Sequence, residues 1–192
     1  MAEHKDLTGA DLHEPKGIAT ASDGQSYMAD GLGSGSWVYT GDTVHGEMTV
    51  ISNTTAETVA TASDPTLNTD SDYTQIITGW SAGHVDGGIT FSTDKVVVPY
   101  AGEYEIAAWA NIICPANNQK VAIKYAINTT TPLSSRKLVG TSAAAGDYVN
   151  VSGHGVVTLA ISDTVSLYIA TDKAGNPTVT EAGLFIKLLE AV

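Results

Sequence analysis

Cysteine is nearly absent from this chain. Cys114 stands alone among 192 residues, so no intrachain disulfide can staple the fold and nothing calls for an oxidising compartment. Basic residues are scarce as well: nine Lys and Arg face 21 Asp and Glu, a formal net charge of -12. That balance repels a phosphate backbone over most of the surface and removes nucleic acid from the expected partners. No apolar run approaches the roughly 18 residues that a membrane-crossing helix needs. The opening MAEHKDLTGADLHEPKG lacks the basic start and continuous apolar stretch of a secretory signal, so neither a membrane partner nor secretion is expected. Helical periodicity is missing too, and the tract SAAAG at 142–146 is too short to stand as a helix.

What is present changes along the chain. Residues 1–40 hold six acids and two bases, 41–102 eight and one, and 103–192 seven and six, so the acidic excess sits early. Residues 1–36 are glycine-rich, with no sustained period of 2 or 3.6, and cannot build a core alone. Sparse apolar residues recur along them, at Leu7, Leu12, Ile18, Tyr27, Met28 and Leu32, with Trp37 following. Such spacing suits either a disordered leader or an arm that orders when its anchors meet a partner, with a reach of up to roughly 120 Å at ~3.3 Å per residue.

From Trp37 onward, short runs rich in Val, Ile, Thr and Tyr alternate with Gly, Asp, Asn and Pro, which is strand and turn chemistry. Strands are expected at 46–51, 55–61, 73–78, 88–91, 95–99, 103–113, 119–127, 135–139, 147–161, 164–171 and 179–190. That spacing predicts an all-β sandwich or barrel. Alternation assigns Tyr104, Ile106, Ala108, Ala110 and Ile112 to the core, with Trp109 and Ile113 opposite them. It also places Val121, Ile123, Tyr125 and Ile127 inside, leaving Lys120, Ala122, Lys124, Ala126 and Asn128 on a wet face. Val165, Leu167 and Ile169 point inward, leaving Tyr168 in need of another neighbour. If Leu184, Ile186 and Leu188 enter the core, Phe185 and Leu189 flank Lys187 outside. Trp109, Ile113, Tyr168, Phe185 and Leu189 then make a contact surface, provided that their strands share a sheet.

The run VVVPYAGEYEIAAWANI at 96–112 resembles the central strand pair of C1q-like and TNF-like jelly rolls. TLAISDTVSLYIAT at 158–171 resembles their strand, acidic turn and strand unit, and TVTEAGLFIKLLE at 178–190 their closing strand. HGEMTVISNTTAETVATA at 45–62 and YTQIITGW at 73–80 fit the opening strands as seen in phage structural proteins. The leader DLTGADLHEPKGIATASDGQSYMADGLGSGSW is similar to the attachment segment of bacteriophage head decoration or fibre proteins. The sequence departs from the family in placing Gly183 before Leu184 and Phe185, and no collagen-like repeat precedes the domain.

The resemblance implies an all-β, C1q/TNF-like jelly-roll sandwich preceded by an extended N-terminal arm. Residues 1–43 would be the capsid-attachment arm and linker, and residues 44–192 the trimerisation domain. It further implies a homotrimeric capsid decoration or cement protein, made in the host cytoplasm and carried on the virion surface. The major capsid protein would be gripped through Leu7, Leu12, Pro15, Ile18, Tyr27 and Trp37, and the threefold axis lined by Trp109, Ile113, Tyr168, Phe185 and Leu189. The alternative is a fibre or spike tip whose outer loops bind a host-surface glycan.

Catalytic chemistry finds little support. His84 and Asp86 form a close His and acid pair, with no Cys or second His adjacent in sequence, so a loop hydrogen bond is the expected role. Asp70-Ser71-Asp72 lacks the glycine and closing Glu of a calcium loop and reads as a turn. Cys114, before Pro115 and with no adjacent cation or His, reads as a buried thiol. Glu103 and Glu105 share a strand face and read as solvated charges rather than a glycosidase pair. No cofactor or metal and no enzyme activity is expected.

Overall fold

The computed structural model describes residue 21 and residues 25–29, 35–39, 44–128, 131–132 and 137–191. Among the described residues the regular structure is strand, apart from one 3-10 turn at Asp70–Asp72. In chain order the strands are β1 (Gln25–Ala29), β2 (Gly35–Tyr39), β3 (His45–Val50), β4 (Thr74–Gln75), β5 (Trp80–Asp86), β6 (Thr90–Ser92) and β7 (Lys95–Val97). There follow β8 (Gly102–Ile113), β9 (Lys120–Ile127), β10 (Thr131–Pro132), β11 (Leu138–Thr141), β12 (Tyr148–Leu159), β13 (Thr164–Thr171) and β14 (Thr178–Ala191).

Two antiparallel sheets face each other. One has the order β12-β8-β14-β3-β5; the other runs β10-β9-β13-β7-β6, with β11 also pairing with β9 and β4 with β13. Neighbours in space are mostly not neighbours in sequence, which is the crossing pattern of a jelly roll. Period-2 alternation sets the core, as expected: Tyr104, Ile106, Ala108, Ala110 and Ile112 of β8 and Leu184, Ile186 and Leu188 of β14 meet Val121, Ile123 and Tyr125 of β9 and Val165, Leu167 and Ile169 of β13. At ~25 cal/mol per Å² of apolar surface removed from water, this interior is the main force holding the sheets together.

The outer face of the β9–β13 sheet corrects one expectation. Ala122, Lys124 and Ala126 are not wet; they are buried with Tyr168 and Ala170 beneath Leu67 and Tyr73 in a second apolar cluster. Alanines at 122 and 126 leave the room that the covering loop fills. Lys124 is 1% exposed, and its ammonium lies 2.5 Å from Asp70 and 4.4 Å from the centre of the Tyr73 ring. The loop holds its own shape. Asp64 accepts hydrogen bonds from the Thr66 and Asn68 amides at 2.8 and 3.1 Å, and Asp72 from the Ser63 hydroxyl at 3.0 Å. These carboxylates are engaged in turn chemistry.

Inside the segment expected as an extended arm, β1 and β2 pair as a hairpin with Tyr27 opposite Trp37. Their rings meet edge to face at 5.4 Å. The hairpin lies beside Tyr100, Ala101, Ile161 and Ala191, with Gln25, Trp37 and Val38 lining the groove between them.

Candidate assembly interface

The outward face of the β12-β8-β14-β3-β5 sheet carries a group of apolar side chains that belong to neither buried cluster. Its centre is β8, with Trp109 42% exposed. Pairing puts Trp109 between Ser152 of β12 and Gly183 of β14, and puts Phe185 beside Ala107 of β8 and Glu47 of β3. Trp109 and Phe185 are thus diagonal neighbours, a spacing of about 7–8 Å that aromatic rings span easily. They wall a small depression of about 60 Å³ floored by Ala107, Gly183 and Leu184.

Apolar residues continue on both sides. Tyr148 of β12, 65% exposed, stands opposite Ile113. The pair opens onto a groove of about 560 Å³ whose other walls include Asn53, Thr180 and Glu181. Leu189 is exposed at the far end of β14, beside a register shift at Leu188/Glu190. Charges rim the patch: Lys187 lies between Glu105 and His45 in register, and Asn111 donates to Glu181 at 2.7 Å. An apolar centre with a polar border is the anatomy of a protein–protein contact.

Four of the five residues expected at the interface therefore share one face: Trp109, Ile113, Phe185 and Leu189. Tyr168 does not. It belongs to β13 of the opposite sheet, is 8% exposed under the 62–73 loop, and its hydroxyl reaches Gln75 at 3.5 Å. Burial, and secondarily Asp94, push its phenol upward. The expected grouping required a shared sheet, and pairing with β9 places Tyr168 elsewhere. Tyr148 and Val156, both exposed on β12, were not singled out from the sequence, because Gly153 and Gly155 interrupt the apolar alternation there.

Of the expected docking residues, Tyr27 and Trp37 pack on each other in the hairpin, both half-buried. Leu7, Leu12, Pro15 and Ile18 lie outside the described residues. Cys114 is fully buried, and burial pushes its thiol upward against a weaker opposing hydrogen bond involving Ser142. His84 and Asp86 lie on a strand, with the Asp86 carboxylate accepting from the Gly87 amide at 2.7 Å. Among the described residues no three His, Cys, Asp or Glu side chains converge closely enough to hold a metal ion.

No protein-family model matches the chain, and no curated protein matches it by sequence. Solved structures do match its fold. The globular domain of zebrafish complement 1qA protein aligns with 78% of this chain and 99% of its own at 13% identity and a TM-score of 0.54. Eiger TNF from S. frugiperda covers 78% of this chain and 94% of its own at 11% identity and 0.50. The PRD1 vertex protein P5 covers 77% and 98% at 14% identity and 0.47. The first two establish the architecture as a C1q/TNF-like jelly roll.

Proposed function

We propose that this chain is a structural virion protein: a homotrimer whose jelly rolls associate through the Trp109 face and whose N-terminal segment docks on a capsid. The role is mechanical. Each arm would place pocketed side chains across a seam between capsid subunits, and three arms tied to one trimer must be released together before the trimer leaves. Leu7, Leu12, Pro15, Ile18, Tyr27 and Trp37 would be the docking anchors, with the major capsid protein as partner.

The observation that carries the self-association is the patch of Trp109, Ile113, Phe185 and Leu189 on one outward sheet face, beside the exposed Tyr148. Large aromatics in contact with solvent are costly to leave uncovered, and aromatic residues are enriched at the centres of interfaces. The attachment rests on the apolar spacing of the first 37 residues and on their resemblance to phage attachment segments.

Sedimentation of the purified chain should give the three-chain mass. Quantitative mass spectrometry of particles of the encoding virus should find hundreds of copies. A monomer in dilute buffer, or particles without the chain, would overturn the reading, and a few dozen copies would assign it to a fibre instead.

A further inference from the structure

A second cluster lies on the same sheet, toward its β5 edge. Between the pairs Gly46–Val85 and Met48–Ala82, strand β3 contributes one residue, Glu47, and strand β5 contributes two, Gly83 and His84. The extra residue makes a β-bulge, which re-aims the side chains around it. Glu47 lies over Gly83, its Cγ occupying the place a β-carbon would take. His84 is brought against His45 of β3, with the two imidazole centres 5.3 Å apart and the planes inclined by 36°. The Phe185 ring centre lies 6.4 Å from that of His45.

We propose that His45 and His84 form a two-imidazole site for a borderline divalent cation of the Zn²⁺ class. Two rings bound to one ion, with metal–nitrogen bonds of about 2.0–2.1 Å and a near-tetrahedral angle, hold their centres about 5 Å apart. The observed 5.3 Å between the ring centres is compatible with that separation. Water fills the remaining positions, consistent with two and not three protein ligands converging here.

The surrounding charges favour a cation on balance. Glu47 lies on the same strand face, and Asp86 is the register partner of His45. Lys187, also paired with His45, opposes the ion, but Glu105 stands across from that lysine in register. His84 is exposed and His45 half-buried, so the ion can enter from solvent. Both ligands and their charged neighbours belong to one chain, and Phe185 beside His45 is shared with the proposed association face.

The test is calorimetric titration of untagged full-length protein with ZnCl₂ at pH 7.5. One ion per chain is expected, with binding weakened at least about tenfold in either His45→Ala or His84→Ala, because chelation by two linked ligands is lost. His154→Ala, on β12, should bind as the unmodified chain does. Absence of saturable binding at pH 7.5, or binding that survives both His45→Ala and His84→Ala, would overturn the site. Thermal melts of each variant separate lost ligands from lost fold.

Discussion

The indole of Trp109 lies across Gly183, its cross-strand partner, in the space where any β-carbon at that position would stand. The glycine therefore sets how flat the tryptophan lies on the sheet, and with it the shape of the whole apolar patch. Gly183→Ala should displace the ring outward and cost about 1–3 kcal/mol of monomer stability through overpacking. Trp109→Ala should cost the monomer less, because the ring is already 42% exposed. Both should weaken self-association at least tenfold in sedimentation equilibrium. Unchanged association in Trp109→Ala would remove this face as the contact surface.

Lys124 gives a second prediction, about stability alone. Its ammonium is buried, paired with Asp70 at 2.5 Å, and rests over Tyr73. Asp70→Ala strands the charge beneath the loop and should destabilise by about 3 kcal/mol. Lys124→Met keeps the volume, removes the charge, and should be near neutral or stabilising. Denaturant unfolding of the two variants checks the difference. Equal losses would mean that the ion pair itself holds the loop down.

That lysine also marks where sequence reading stops. The inner faces of β8, β9, β13 and β14 were legible because period-2 alternation is a local property of each strand. Which sheet a strand joins is not local, and so Tyr168 was grouped with Trp109 although β13 pairs with β9. The covering of Lys124 by Leu67 and Tyr73 depends on a loop more than fifty residues upstream. β5 went unseen because Ser81, Ala82, Gly83 and His84 have little strand preference and are held mainly by pairing with β3. The run 55–61 has strand composition yet crosses between the sheets outside any named strand. Its Glu57 is 2% exposed and takes hydrogen bonds from the Thr78 amide and hydroxyl. A tertiary hydrogen bond overrode propensity there.

Alkaline behaviour should report on Tyr104. The side chain is fully buried, its hydroxyl donates to the Tyr100 carbonyl at 2.9 Å, and burial pushes the phenol up to about 12 from an ordinary 10. Raising an acid's folded value favours its neutral form. The resulting stability is complete below pH 10 and is lost as pH rises from 10 toward 12, because the unfolded chain ionises first. Two units correspond to about 2–3 kcal/mol. Burial likewise raises Tyr73, which adds to the same loss. Tyr104→Phe should be about 1 kcal/mol less stable at pH 7, through the missing hydrogen bond, and should fall less steeply above pH 10. Parallel slopes for the two proteins would refute the assignment.

Removing residues 1–43 separates the two halves of the proposed function. Every residue of both buried clusters lies at Val44 or beyond, so the sandwich should fold without the preceding segment. The hairpin contributes the groove wall at Gln25, Trp37 and Val38 against Tyr100 and Ile161. Its loss exposes a modest apolar area and should lower the melting temperature by only a few degrees. Far-ultraviolet dichroism should retain the strand signature, and sedimentation should retain the trimer, because the Trp109 face lies wholly within the remaining chain. Particle occupancy should fall to background. If the truncated chain unfolds, the hairpin is part of the body; if it still decorates particles, the docking surface lies on the jelly roll and not on the anchors from Leu7 to Trp37.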